Sequence, residues 1–153
     1  MEYDLIQNLR LDLLLHLCLA VVLGGAIGLE RELQNKAAGL RTNILICVGA
    51  VLFTELSTGM SSASGDPGRI AAQIVTGVGF LGAGTIIQAR GVVTGLTTAA
   101  TMWLVAAIGM AIGFGALLEA TGATLLVLLV LSLLRPIERV IATRSRNRSS
   151  GVE

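Results

Sequence analysis

Five apolar stretches dominate this chain: Leu11–Leu29, Thr42–Met60, Ile70–Ala89, Val92–Gly113 and Ala116–Leu134. Each falls within the ~17–25 residues needed to cross about 30 Å of hydrocarbon. Backbone amides and carbonyls have no water to bond in that layer, so each stretch must satisfy them internally, as a helix. The reading is therefore an all-α membrane protein with five transmembrane helices. Threaded alternately, the spans put Arg31, Lys36, Arg41, Arg90, Arg135, Arg139, Arg144, Arg146 and Arg148 on one side, leaving Arg10 and Arg69 for the other. Basic residues favour the cytoplasmic face, which predicts the N-terminus outside and the C-terminus inside. Residues 1–10 become an outer segment, 11–135 a five-span membrane domain, and 136–153 a basic cytoplasmic tail.

Composition excludes most other classes. The chain has 153 residues, 54% hydrophobic and 14% charged, with no polar stretch long enough for a soluble domain. Its first residues, MEYDLIQNLR, are acidic and polar, the reverse of a signal peptide's basic start, so the first span is expected to be retained. Cys18 and Cys47 lie within spans without metal-ligand spacing and read as small buried apolar residues. The tail is basic but has no interleaved aromatics, so nucleic acid is not an expected partner. Its arginines suit anionic lipid or the fixing of topology. Past Pro136 the chain is expected to continue as a short surface helix, with Arg144–Glu153 disordered.

Glycine and threonine patterns carry the next layer. Gly77, Gly79 and Gly82 satisfy GxGxxG, but a dinucleotide fingerprint must leave a strand and open a helix, and this one sits in an apolar run. Close helix packing is the plainer reading, repeated in the GxxxG pairs Gly24/Gly28 and Gly109/Gly113. Such faces also suit a homodimer, through Gly24/Gly28 or the third span. Alternatively, Gly82-Ala83-Gly84 breaks the third helix and offers backbone groups to an ion. Thr94, Thr97, Thr98 and Thr101 recur at i, i+3, i+4 and i+7. They read either as interhelical hydrogen-bond donors or as one wall of a polar cavity with Thr85 of the third span. Glu30, Arg31, Glu32, Arg41 and Asn43 would stand at the mouth, and Trp103 would pack one turn deeper.

Ionisable residues inside spans are expensive, so each asks for a role. His16, Glu55 and Glu119 sit about one to two turns from the outer end of their spans, with Gln73 at similar depth and Asp66 in the loop above. Glu55, Asp66 and Glu119 are candidate oxygen ligands for a magnesium ion. Independent snorkelling, or pairing of His16 with a carboxylate, is the alternative.

The blocks GGAIGLERE (Gly24–Glu32), AGLRT (Ala38–Thr42), DPGRIAAQIVTGVGFLGAGTII (Asp66–Ile87) and VTGLTTAATMWLVAAIGMAIGFG (Val93–Gly115) resemble the MgtC/SapB family of bacterial inner-membrane proteins. The resemblance implies a non-enzymatic protein associated with magnesium homeostasis, adaptation to low magnesium and survival inside host cells. It further implies regulation of a partner membrane complex such as ATP synthase, with a cation transporter or channel as the alternative. The positions matching the family's recurrent charged pattern are Glu30, Arg31, Glu32, Arg41, Asp66 and Arg69, with Gln73 and the Gly79–Gly84 run. Many MgtC-like proteins carry a soluble domain after the membrane part; a chain ending at Glu153 is expected to lack it and to be closer to the SapB form.

Overall fold

The computed structural model describes residues 2–60, 68–89 and 91–149, with side chains described for 11–59, 68–69, 71–89 and 91–134. Among these, five helices run in chain order: α1 (Glu2–Leu33), α2 (Leu40–Met60), α3 (Gly68–Ala83), α4 (Leu96–Gly113) and α5 (Leu117–Ser149). A two-stranded hairpin, β1 (Ile87–Ala89) and β2 (Val92–Thr94), lies between α3 and α4. Four segments are long and apolar enough to cross a membrane: Leu11–Leu33, Leu40–Gly59, Leu96–Gly113 and Leu117–Leu134. The apolar part of α3, Ala71–Ala83, is shorter.

The hairpin corrects the expected boundaries of the third and fourth spans. No described residue from Gly84 to Gly95 is helical, and strand-favouring Ile86, Ile87, Val92, Val93 and Thr94 lie there between glycines. The broken-helix reading of Gly82-Ala83-Gly84 holds for the backbone. The freed carbonyls are nonetheless satisfied locally: Gly82 O accepts from the Thr85 amide (3.0 Å) and hydroxyl (2.8 Å), and Ala83 O accepts from the Ile86 amide (3.1 Å). Gly95, at φ 91°, lies so close to the Thr85 carbonyl that a Cβ would collide with it. Thr94 consequently sits on β2, not on the α4 stripe, and donates to the Ile87 carbonyl across the hairpin.

Two tight reversals set α1 against α2 and α4 against α5. Asn35 takes φ 53° after α1, with Lys36 N–H donating to Arg31 O and Asn35 N–H to Glu32 O. Gly115 takes φ 78° after α4, with Ala116 N–H donating to Ala111 O and Gly115 N–H to Ile112 O. Both patterns are Schellman closures, which use up the last carbonyls of the helix. At the far end of the chain, α5 runs to Ser149 where disorder was expected from Arg144. Extending an existing helix avoids the nucleation cost that would defeat the same polar residues alone.

Packing centres on α4, which touches all four other helices, and on α2, which contacts α1, α3 and α4. One buried cluster joins Ala20, Leu23 and Ile27 of α1, Cys47 and Val51 of α2, Val105, Ile108 and Ile112 of α4, and Ala120 and Val127 of α5. A second attaches α3 through Ile74 and Val78 to Ala50, Met102 and Ala106. The backbones approach closely where glycines meet α2. A Cβ on Gly24 would lie 2.8 Å from Cys47 Cβ, and one on Gly28 would lie 2.8 Å from Leu40 Cα. From the other side, Gly109 abuts the Cys47 carbonyl, and a Cβ on Gly113 would lie 2.7 Å from Thr54 Cβ. Gly24 and Gly28 are thus used within the chain, against α2. Gly82 packs on Ala99, whereas Gly77 and Gly79 have nothing within 4 Å of the Cβ position. Trp103, expected in the core, is 49% exposed, and Cys18 is exposed as well.

Gly109→Leu should cost about 2–3 kcal/mol, as overpacked cores do. Gly79→Ala should cost nothing and stabilise by up to about 1 kcal/mol, there being nothing for its methyl to strike in a helix interior that favours alanine. Unfolding titrations in mixed micelles separate the two.

Candidate functional site

The polar residues gather at the two ends of the bundle. At the end where α1 stops and α2 starts, Arg31 is buried, at 2% exposure. Its Nε donates to Glu30 Oε2 at 2.5 Å, and an Nη donates to Gln34 Oε1 at 3.1 Å. The Gln34 amide in turn donates to the other oxygen of Glu30. This closed triad joins Glu30 and Arg31 of the last turn of α1 to Gln34, the first residue past it, at spacings of one, three and four. Glu32 points the other way: its Oε2 accepts from the Leu40 amide at 3.0 Å and so caps α2. Gly39 lies beneath that carboxylate, where a side chain would collide with it.

Arg41, grouped by sequence with Glu30 and Arg31 at the mouth of a cavity, does not join them: it lies exposed and makes no ion pair among the described residues. Position decides this: Asn43 points inward from the first turns of α2, and Arg41 projects to the opposite flank. Asn43 is fully buried and donates from Nδ2 to Ala38 O and Gly39 O, both at 2.8 Å. Its Oδ1 has no partner among the described residues. The inward stripe of α2 continues through Cys47, Ala50, Thr54 and Ser57, all buried, and Thr54 Oγ1 is likewise unpartnered. Small residues are required there because glycines press on both sides.

The threonines divide. Thr98 and Thr101 are buried, Thr101 donating to Thr97 O at 2.7 Å, whereas Thr97 and Thr94 are exposed. Thr85 turns back on Gly82, as described above. The five therefore do not share one wall.

At the other end, His16 of α1 and Glu55 of α2 meet, Nδ1 to Oε1, at 2.5 Å. Both side chains are about four-fifths buried. This is the satisfied pair that sequence left as an alternative. Glu119 lies exposed in the first turn of α5, and Asp66 falls outside the described residues. No group of three or more His, Cys, Asp or Glu converges among the described residues. Glu55 is already engaged by His16, so the described side chains do not fit a magnesium site. Arg69 is exposed in the first turn of α3. Gln73, one turn further on, borders a groove between α2 and α3 of about 720 Å³ that also touches Arg41, Gly77 and Phe53. Sequence reasoning did not find that groove. Its signal was the paired gaps at Gly49 and Gly77, each with open space over it.

Arg31→Ala should lower the unfolding free energy by about 3 kcal/mol, because it strands the Glu30 carboxylate in a buried site. Arg41→Ala should leave melting and detergent yield unchanged. Thermal melts of the two purified variants check the contrast.

Residues 17–140 match the MgtC family model. Protein MgtC of Brucella abortus (strain 2308) is 45% identical over 131 residues, covering 86% of this chain and 55% of that protein. Protein MgtC of Salmonella typhimurium (strain LT2) is 46% identical over 129 residues, covering 84% and 55%. The chain spans about half the length of the curated relatives it matches. No solved structure matches it. With four helices fit to span and these relatives, it is a multi-pass membrane protein. The chain belongs to the MgtC family.

Proposed function

We propose that this is a non-enzymatic inner-membrane protein of magnesium homeostasis, serving adaptation to low magnesium and intracellular survival. It acts by regulating a partner membrane complex, of which ATP synthase is one candidate, through helix contacts within the bilayer. The observation that supports a regulator over a conduit is the filling of the middle of the bundle. Between Asn43 at one end and His16–Glu55 at the other stand Ala20, Leu23, Ile27, Val51, Val105 and Ile108, all buried and apolar. An ion crossing there would lose its hydration without gaining ligands.

A second reading, a magnesium or other cation transporter, has its own support in the unpartnered Asn43 Oδ1 and Thr54 Oγ1 and in the His16–Glu55 pair. An alternating-access protein needs such buried polar groups along its path. Purified protein in proteoliposomes distinguishes the two: the regulator reading expects magnesium flux no higher than in empty vesicles. Flux well above that background, lost in Glu55→Gln, would reject it in favour of transport.

The proposed orientation places the α1–α2 turn in the cytoplasm, following the arginine bias. Ser62→Cys, in a Cys18→Ser background that leaves only the buried Cys47 besides it, should react with impermeant maleimide added to intact spheroplasts. Labelling only after lysis would reverse the assignment.

A further inference from the structure

The groove between α2 and α3 differs from the rest of the apolar surface in having depth, limited length and one charged end. Its floor passes over Gly49, Ala50 and Gly77, and its walls are Leu45, Phe53 and Leu81. Gly49 and Gly77 have nothing within 4 Å of a Cβ position, so the space above them is open. Arg41 and Thr42 border it at the end where α2 begins. Arg41 is exposed and lacks an acidic partner among the described residues, unlike Arg31, which Glu30 neutralises.

We propose that this groove holds one acyl chain of an anionic phospholipid, with the lipid phosphate on the Arg41 guanidinium. Three observations support that occupant. From Arg41 to Phe53, α2 advances about 18 Å at ~1.5 Å per residue. That is slightly more than half of the ~30 Å hydrocarbon layer, the depth of a single leaflet. The volume, about 720 Å³, lies in the range of sites that enclose a small ligand. A partner helix of the same length, ~10 Å wide, would fill roughly 1,400 Å³. Charge completes the match, since a guanidinium suits a phosphate and the adjoining walls are apolar.

Phosphatidylglycerol and phosphatidylcholine carrying a photoactivatable diazirine in the acyl chain, in vesicles containing the full chain, provide the test. Leu45, Phe53 and Leu81 should be labelled more than Leu125 and Leu126, which are exposed on α5. The excess should be about fivefold greater for phosphatidylglycerol, the effect of one basic residue near an anionic headgroup. Arg41→Gln should abolish that preference while leaving chain labelling in place. Gly77→Leu fills the groove and should remove the excess for both probes, with melting unchanged. The proposal is overturned if the groove residues label no more than α5, or if Arg41→Gln keeps the preference. It is equally overturned if the groove is shielded from both probes and instead crosslinks to a second copy or another protein.

Discussion

The backbone of α2 is held between glycines of two neighbours, and the rest of the bundle depends on that approach. Lipid offers helices no hydrophobic reason to associate, so contact must come from dispersion at short range and from the few polar groups that find partners. Gly24 and Gly28 of α1 and Gly109 and Gly113 of α4 remove the side chains that would hold the helices apart. In consequence α2 carries no inward side chain larger than Val51, and its stripe of Asn43, Cys47, Ala50, Thr54 and Ser57 follows from that limit. Polarity in the stripe is a by-product of size as much as of function. Asparagine and threonine fit where leucine would not.

The same constraint separates the polar groups into two sets. Arg31, Glu30 and Gln34 close on each other at one end, and His16 with Glu55 closes at the other. Each set is satisfied within one or two helices and does not reach toward the other through the apolar middle. A charge removed from water is tolerable when its partner is adjacent and fixed. Arg31 meets that condition through Glu30 on its own helix and Gln34 just past its end, without a partner from α2. Glu32 supplies the connection instead, as the cap on the first amide of the next helix.

Hydrophobic length in α1, α2, α4 and α5 was legible in the sequence, because twenty apolar residues admit one answer in a bilayer. The hairpin between α3 and α4 was not. Ile86, Ile87, Val92 and Val93 are as apolar as the helices beside them, and a count of hydropathy treats strand and helix alike. Glycines at 84, 91 and 95 were the available signal, though glycine also occurs inside these spans as a packing residue. Depth in the membrane brought His16 and Glu55 to attention, but their pairing needed the α1–α2 register, which no spacing in a single chain supplies. Arg41 misled for a related reason: neighbours along a helix point to different sides, and the buried one is fixed by what lies across from it. Trp103 shows the same ambiguity, since a large ring in a span can face lipid as readily as protein.

The brevity of α3 has a consequence for the membrane itself. Its sixteen residues rise about 24 Å, and the apolar part only ~20 Å, against a hydrocarbon layer of ~30 Å. Unlike its longer neighbours, it cannot meet both headgroup planes unless the bilayer pinches beside it or the hairpin settles among the glycerol backbones. The exposed Ile87, Val92 and Val93 suit that shallow level. On this flank the protein would dimple the leaflet, and thicker or thinner membranes would then bear on α3 before any other helix.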